Sequence, residues 1–326
     1  MSQPTSGIQL YRQRLSALKI GKIYTRLPSD SFESEWGNTN DTQPTYQQWL
    51  NLLAQEARAI SFGQGKNRLA ILLGDSISMW FPLDLLPPHR LWLNQSISGD
   101  TTGNMLRRIP AFAQTRPNAI YILAGINDLK NGITDTAIIN NHLMIWRKLK
   151  SNHPQVQLIV QSILPTCLPS ETLPINISNS RINNINQKLA TIAKQENVKF
   201  LDIYSNFIDN NGYLRNNLTT DGLHLNYSGY QVWRWPLGQT ESRLALNRDE
   251  KYQNWLRNSA YFNVGGKTYT WITYTVQNGD NLPALASRIF GNLDIDYYDL
   301  IAIKNNLTSA GLQANKTIYI PHLMQG

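Results

Sequence analysis

The sequence predicts an α/β protein in which a parallel sheet with helices on both faces is followed by a small βααβ domain. From residue 67, short apolar segments rich in Ile, Leu and Val alternate with segments of helical periodicity, a pattern typical of parallel strands joined by helices. The tail after residue 269 shows strand, helix, helix and strand patterns on a smaller scale. With 326 residues, 41% of them hydrophobic, the chain can form one domain of ordinary size and a smaller one.

The chain divides by pattern into four regions. They are a helical N-terminal extension, a main domain, a polar linker and a C-terminal domain, at residues 1–66, 67–238, 239–268 and 269–326. In the extension, apolar residues recur at helical spacing over 46–54, and Thr45 can cap the start of that helix.

The main domain has five candidate strands, each short and apolar: 68–73, 91–95, 119–124, 156–163 and 198–203. Helical periodicity is clearest over 138–149 and 182–193, and a last helix is predicted over 230–237. Residues 165–179 contain three prolines and few periodic apolar residues, which predicts a loop that can overhang a site. After a hinge at Gly265-Gly266, strands are predicted at 270–276 and 317–320, and helices at 282–290 and 296–304.

The formal charge of +8 is unevenly distributed along the chain. Residues 268–326 carry three Lys/Arg and four Asp/Glu, so the other residues hold 27 basic against 18 acidic side chains. This surplus is spread out, without the dense Lys/Arg run that nucleic-acid binders show, and it predicts no nucleic-acid partner. No stretch reaches the roughly 18 apolar residues that a membrane helix requires.

Cysteine and histidine usage argues against disulfides and metals. Cys167 is the sole cysteine, so no internal disulfide is possible, and no base is identifiable beside it. The histidines outside the motifs described below show no ligand spacing with Asp, Glu or Cys, which predicts no metal: His89, His142, His153 and His322. The start of the chain lacks the basic and apolar segments of a secretory signal, so the sequence by itself favours an unexported, cytoplasmic protein.

Four polar motifs follow the predicted strands or precede the closing helix, and together they supply the groups for acyl transfer through a serine. Ser76, in the turn after the first strand, is the candidate nucleophile, and its backbone N–H at a helix start is one candidate oxyanion donor. Gly99 follows the second strand and can offer a second N–H, since it has no side chain to obstruct a substrate. Asn127 follows the third strand, and its amide can be the third donor.

Asp221 and His224 are the candidate acid and base. At a spacing of three residues within one turn, a carboxylate and an imidazole can face the same site. His224 would take the proton of Ser76 and return it to the leaving group, while Asp221 would orient the ring and stabilise the imidazolium. Trp80 lies one helical turn after Ser76, where it can either wall an acyl pocket or belong to the core.

Each motif also has a purely structural interpretation. The Gly-Asp-Ser turn, Asp100 and Asn127-Asp128 can all be helix caps, and Asp221 with His224 can be ordinary surface residues. Their order and their placement at successive strand ends favour the catalytic interpretation.

As a set, the motifs resemble the four blocks of the SGNH, or GDSL, hydrolases over about residues 67–237: Gly74-Asp75-Ser76, Gly99, Gly125-Ile126-Asn127-Asp128 and Asp221-Gly222-Leu223-His224. The resemblance implies a flavodoxin-like three-layer αβα sandwich, an esterase, thioesterase or deacetylase activity, and no cofactor. In the corresponding 2-1-3-4-5 sheet, the crevice lies between the ends of strands 1 and 3, which Ser76 and Asn127 follow. Trp80 and the sequence of residues 125–129 look most similar to those of the acetylhydrolase and carbohydrate-esterase branch.

The tail resembles a LysM module over about residues 270–321, which implies binding of N-acetylglucosamine-containing glycans. The resemblance rests on Tyr274 to Leu282, on Asn305-Asn306-Leu307 and on Thr317 to Pro321. Asn281 and Ala314-Asn315-Lys316 depart from the usual wording, but Asn tolerates a left-handed turn nearly as well as Gly, so the fold should survive. The alternative is a LysM-like unit that only packs against the hydrolase.

These patterns predict a serine esterase that removes small acyl groups, most plausibly acetyl groups, from a glycan. The alternatives are a lysophospholipase or thioesterase for longer acyl chains, an acyltransferase that uses the same residues, and a glycan-binding protein with a vestigial hydrolase domain. The LysM-like unit favours the cell envelope, in contrast to the start of the chain, and the sequence leaves the oligomeric state open.

Overall fold

The structure of the chain is a computed structural model. It describes residues 3–28, 31–32, 42–87, 90–168, 177–246, 254, 256–264, 267–278, 280, 282–290, 298–307 and 312–324. The chain divides into two compact units, Met1–Arg234 and Trp235–Gly326. Part of the predicted proline-rich loop, the predicted glycine hinge, His89, Asn281 and the start of the predicted helix at 296–304 lie outside the described residues.

The first unit is built on a five-stranded parallel sheet. Its strands are β1 (Leu69–Gly74), β2 (Leu91–Asn94), β3 (Ala119–Leu123), β4 (Gln157–Gln161) and β5 (Lys199–Leu201). Their order, β2-β1-β3-β4-β5, confirms the predicted sheet. Since Leu72 pairs with both Asn94 and Tyr121, the loops after β2, β1 and β3 leave the sheet side by side at one edge.

Helices cover the sheet, as the alternating pattern predicts. They are α1 (Gly7–Lys19), α2 (Tyr46–Gly63), α3 (Ser76–Met79), α4 (Thr102–Arg108), α5 (Ile126–Lys130), α6 (Asp135–Asn152), α7 (Asn179–Gln195) and α8 (Tyr227–Leu246). The predicted cap at Thr45 is confirmed, because Thr45 and Gln48 form a reciprocal capping box. The last helix runs beyond the predicted 230–237, and Pro236 inside it does not end it. Trp233 and Leu237, on either side of that proline, are fully buried, and this burial outweighs the helix-breaking tendency of Pro.

The N-terminal extension packs on the sheet as part of the first unit. The Arg14 guanidinium of α1 forms a buried ion pair with Glu56 of α2 and donates to the backbone carbonyl of Asn94 at 2.7 Å. A buried charge is tolerated only when it is paired and hydrogen-bonded, as this one is, so the contact fixes α1 and α2 against the end of β2.

The described part of the second unit has a three-stranded antiparallel sheet, with two helices between its second and third strands. Its elements are β6 (Tyr261–Val264), β7 (Lys267–Thr275), α9 (Leu282–Phe290), α10 (Tyr298–Lys304) and β8 (Thr317–Leu323), with strand order β6-β7-β8. The predicted βααβ unit is confirmed, and the structure adds β6, which the pattern placed in the linker. Asn315 adopts the left-handed conformation, φ 66°, that we expected Asn to tolerate there.

In the part of the chain that the structure describes, no helix is both long enough and apolar enough to cross a bilayer.

Candidate active site

The turn from β1 into α3 presents Ser76 at the carboxyl edge of the sheet. Asp75 is the N-cap of α3 and accepts a hydrogen bond from the backbone N–H of Ile77 at 3.0 Å. Ser76 is the first residue of α3, so its own N–H has no partner within the helix. Gly74 is required here, because a Cβ would lie 2.3 Å from the Ser78 hydroxyl and 2.8 Å from the Leu123 carbonyl oxygen.

Ser76, His224 and Asp221 form one hydrogen-bonded chain. The Ser76 Oγ lies 3.0 Å from Nε2 of His224, and Nδ1 of the same ring lies 2.6 Å from Oδ2 of Asp221. This arrangement places a base on the hydroxyl and an acid behind the base, which is the geometry that a serine nucleophile requires. The three residues come from two loops that are 148 residues apart in the chain.

The loop that carries the acid and the base is held by its own short-range hydrogen bonds. Asp221 Oδ1 accepts from the backbone N–H of His224 at 2.7 Å and of Leu223 at 3.1 Å. The Thr219 hydroxyl donates to the His224 carbonyl at 2.6 Å and accepts from Gly222, whose φ of +82° suits glycine. The loop therefore fixes the His224 backbone from both sides.

Two opposing influences act on the pKa of the Asp221 carboxyl group. Partial burial by itself would raise its pKa, but the hydrogen bonds from the His224 ring and from the two backbone N–H groups hold the pKa below the ordinary value. An ionised Asp221 stabilises a protonated His224 ring, which is the state that follows proton transfer from Ser76.

Gly99 and Asn127 lie in the loops after β2 and β3, on either side of the β1 turn in the strand order. Gly99 adopts φ +82°, and within the described residues its N–H donates no hydrogen bond. Asn127 is the second residue of α5, and one N–H of its amide donates to the Asp100 carbonyl at 3.1 Å. That bond orients the amide and leaves its second N–H available as a donor.

Arg108 is a positioning residue that the sequence analysis missed. Its guanidinium is buried, pairs with Asp100 at 2.6 Å and donates to the carbonyl of Gly74 at 3.0 Å and to that of Gln95. One side chain of α4 thus ties the β1 turn to the loop that carries Gly99. The Tyr46 hydroxyl donates to the second Asp100 oxygen at 2.9 Å and completes its hydrogen bonding.

Three carboxyl groups are buried on this side of the site. Burial raises the pKa values of Asp100 and Asp128, although Arg108 opposes the shift at Asp100 and Thr102 opposes it at Asp128. Burial, with the nearby negative charges of the other two, raises the pKa of Asp75 to about 7. Among the described residues, Asp75 Oδ2 has no hydrogen-bond partner, which is consistent with a carboxyl that favours its neutral form.

Beside His224 a groove of about 450 Å³ opens onto the site. Trp80 lines it and also packs against the hydrophobic cluster of α1 and α2, while its role in an acyl pocket stays a prediction. Tyr230 of α8 borders the groove and donates its hydroxyl to the Ile77 carbonyl of α3 at 2.9 Å. A second cavity of about 170 Å³ lies between α1, α2 and β2 and does not include the catalytic candidates.

The other polar residues considered in the sequence analysis lie in buried surroundings that suit structural roles. Cys167 is buried, and its thiol donates to the Leu214 carbonyl and the Asn216 side chain, while burial raises its pKa. His142 is fully buried against the Ala124 carbonyl, and burial lowers its pKa to about 4. In the part of the chain that is described, no group of three or more His, Cys, Asp and Glu side chains is arranged to hold a metal ion.

Comparison with known proteins bears on this arrangement. Residues 72–232 match the GDSL-like Lipase/Acylhydrolase family, and residues 274–321 match the LysM domain. The chain therefore carries a GDSL-like lipase/acylhydrolase domain. It is an ester hydrolase of the SGNH type with a C-terminal LysM domain, and the predicted family and activity class are confirmed.

Several named proteins match about half of the chain. Platelet-activating factor acetylhydrolase IB subunit alpha2 of Gallus gallus is 26% identical over 189 residues, 55% of this chain and 78% of that protein. Esterase TesA of Pseudomonas aeruginosa is 26% identical over 54% of this chain and 84% of its own length. N-acylneuraminate cytidylyltransferase of Streptococcus agalactiae is 28% identical over 53% of this chain, but this chain spans only 40% of it.

Solved structures show the same fold. A Streptococcus pneumonia structure named for platelet activating factor superposes with a TM-score of 0.55 at 26% identity, over 61% of this chain and 94% of that one. A GDSL-like lipase of Bacteroides thetaiotaomicron superposes with a TM-score of 0.52 at 20% identity, over 60% of this chain and 97% of its own.

Proposed function

We propose that the chain hydrolyses small acyl esters, in particular acetyl esters, by covalent catalysis through Ser76. The observation that carries the proposal is the hydrogen-bonded chain from Ser76 through His224 to Asp221 at the carboxyl edge of the sheet. Open α/β sheets bind their ligands at that edge.

In the first half of the reaction, the Ser76 Oγ attacks the carbonyl carbon while Nε2 of His224 takes the hydroxyl proton. The carbonyl oxygen becomes an oxyanion, which would be bound by the N–H groups of Ser76 and Gly99 and by the Asn127 amide. The tetrahedral intermediate collapses to an acyl-enzyme, and His224 gives its proton to the departing alcohol oxygen.

In the second half, water replaces the alcohol. His224 takes a proton from the water as the water oxygen attacks the acyl carbon, and it returns that proton to Ser76 when the acid leaves. Asp221 stays ionised throughout and stabilises the protonated ring, as its lowered pKa favours.

The proposed substrate is an acetylated glycan that the LysM domain helps to bind. Support comes from the acetylhydrolase name of one relative and from the LysM domain, a module associated with N-acetylglucosamine-containing glycans. The second unit would hold the enzyme on the polymer while the first removes acetyl groups, and such a tether raises the local substrate concentration.

The test is hydrolysis of p-nitrophenyl acetate by the purified full-length chain and by Ser76→Ala. We expect the substitution to reduce kcat by roughly 10⁴-fold or more, since removal of the nucleophile leaves only binding and oxyanion stabilisation. Ser61→Ala, which removes a hydroxyl that donates to the Arg58 carbonyl on α2, is the matched control and should retain full activity. Undiminished turnover by Ser76→Ala would overturn the mechanism.

A panel of p-nitrophenyl esters of increasing chain length tests the acyl specificity separately. We expect the acetyl ester to give the highest kcat/KM. A preference for long acyl esters or acyl thioesters would support the lipase or thioesterase alternative. The relative named as an esterase is compatible with either specificity.

A further inference from the structure

The groove beside His224 is walled by three segments that are distant in the chain. Trp80 and Pro82 follow α3, Tyr227 begins α8, and Gln3 and Pro4 precede α1. His224 itself lies in the lining. The groove is therefore continuous with the base of the candidate triad.

The position of the groove decides which part of a substrate it can receive. In the mechanism proposed above, His224 must reach the oxygen of the departing alcohol, because it delivers the proton there. The alcohol part of the ester consequently lies on the His224 side, while the carbonyl oxygen faces the loops of Gly99 and Asn127. A groove lined by His224 is in the right place for the alcohol.

The Asp84 carboxylate at the rim of the groove is held by hydrogen bonds from two of the lining residues. Asp84 accepts from the Tyr227 hydroxyl at 2.6 Å through Oδ2 and from the Gln3 amide at 3.2 Å through Oδ1. A carboxylate has about four acceptor positions, so two remain for hydroxyl groups of a ligand. The Tyr227 side chain is 45% exposed, which leaves part of its ring accessible.

The N-terminal segment that supplies Gln3 is held in place by hydrogen bonds at the start of α1. Gln9 Oε1 accepts from the N–H of Thr5 at 2.8 Å and from its hydroxyl at 3.0 Å, and Ser6 caps the helix. Gln3 and Pro4 lie outside the family match at 72–232, so the matched domain does not itself supply this wall.

Apolar ring faces combined with hydrogen-bonding groups fit a saccharide. Aromatic and proline rings pack on the C–H face of a pyranose, and a carboxylate, an amide and hydroxyls bind its OH groups. A fatty chain would cover these polar groups without offering them hydrogen bonds, which makes it a poorer fit than a sugar. Burial and the Asp84 carboxylate raise the pKa of Tyr227 to about 12, and the nearby Arg234 charge opposes this shift. That positive charge, with the excess of basic residues before 268, disfavours a cationic alcohol.

We infer that this groove is the subsite for the leaving alcohol and that it takes a saccharide ring, with Tyr227, Asp84 and Gln3 as its polar contacts and Trp80 as a ring platform. The inference rests on the proposed ester hydrolysis, and it adds the identity of the alcohol and the residues that select it.

The experiment compares two acetate esters that share the acyl group and differ in the alcohol, 6-O-acetylglucose, whose other hydroxyl groups are free, and p-nitrophenyl acetate. In the full-length chain, Tyr227→Ala should lower kcat/KM for the sugar ester by about tenfold, mainly through KM, and lower kcat/KM for p-nitrophenyl acetate by a clearly smaller factor, because its alcohol has no hydroxyl groups for the polar contacts to bind. Phe62→Ala, which removes an exposed aromatic ring on α2, is the matched control and should change neither value.

Asp84→Ala and Gln3→Ala provide independent variants on the exposed rim, and both should shift the ratio of the two kcat/KM values in the same direction. Equal loss on both esters, or no loss on the sugar ester, would overturn the subsite. A selective loss on acetylcholine, included as a cationic alcohol ester, would also overturn it in favour of a cation site. Failure of the proposed function is seen separately, as undiminished p-nitrophenyl acetate hydrolysis in Ser76→Ala.

Discussion

The two sides of the candidate active site are held by different kinds of interaction. On the nucleophile side, Asp75 and Asp100 are fully buried, and Arg108 joins the β1 turn to the next loop from inside the protein. On the base side, the side chains of Asp221 and His224 are 48% and 38% exposed. Their loop is held mainly by hydrogen bonds among residues 217–226.

Because of this difference, we expect the nucleophile side to matter most for stability and the base side to matter most for catalysis. A buried charge that loses its partner destabilises the whole fold, whereas an exposed hydrogen bond contributes little to folding. Substitutions on the nucleophile side should therefore reduce the free energy of unfolding. Substitutions on the base side should reduce turnover in a protein that remains folded.

The largest effect is expected at Asp221. Asp221→Asn retains an acceptor for the two backbone N–H groups, but its amide would face Nδ1 of His224 and favour the wrong tautomer of the ring. We expect kcat for p-nitrophenyl acetate to fall by about 10⁴-fold, with the melting temperature changed by only a few degrees.

Asp209→Asn is the matched control for this substitution. Asp209 also accepts from two backbone N–H groups in a turn, those of Asn211 and Tyr213, but it does not contact His224. It should keep wild-type kcat. A melting temperature lowered as strongly as the activity in Asp221→Asn would contradict the distinction between the two sides.

The second effect is expected at Arg108. Arg108→Leu leaves Asp100 charged and buried, with Tyr46 as a remaining donor, and should reduce the free energy of unfolding by about 3–5 kcal/mol. Urea denaturation measures this loss. Removing the unpaired charge in the double variant Arg108→Leu/Asp100→Asn should restore part of it.

Arg147→Leu is the control for that experiment, because Arg147 pairs with Glu196 on the surface and its side chain is 66% exposed. Its denaturation midpoint should match that of the wild type. If the two arginine variants were equally stable, the nucleophile side would not depend on the buried ion pair.

The sequence predicts the residues that local patterns mark, and misses those whose role depends on distant contacts. The strands and the placement of Ser76 after β1 follow from apolar segments and a glycine turn, and the strand order follows from the family resemblance; all are seen in the fold. Arg107 and Arg108 look alike in the sequence, yet Arg108 is buried while Arg107 is exposed and donates to the Asn104 side chain.

What distinguishes Arg108 from its neighbour is the phase of α4 together with partners 8, 13 and 34 residues away. No short window of sequence contains that information. The same holds for Gln3, whose partner Asp84 is 81 residues away, and for β6, which is only four residues long and pairs with β7. The roles of Ser76, Gly99, Asn127, Asp221 and His224 in catalysis stay predictions, although their placement is consistent with them.

The third effect is a pH dependence of stability, expected at Asp75 on the nucleophile side. The pKa of Asp75 is raised to about 7 in the folded chain, against an ordinary value near 3.9 in the unfolded chain. Between these values the folded state holds a proton that the unfolded state has lost, so this contribution to stability is complete below about pH 4 and disappears as the pH rises through about 7.

Asp75→Asn keeps the acceptor for the Ile77 N–H but cannot ionise. We expect the free energy of unfolding of the variant, relative to the wild type, to rise by about 1.4 kcal/mol per pH unit between pH 5 and 6.5 and to level off above pH 8. Urea denaturation of both proteins across this range measures the difference. A difference independent of pH would show that Asp75 is ionised in the folded chain, and the buried carboxyl groups would then have to be stabilised in another way.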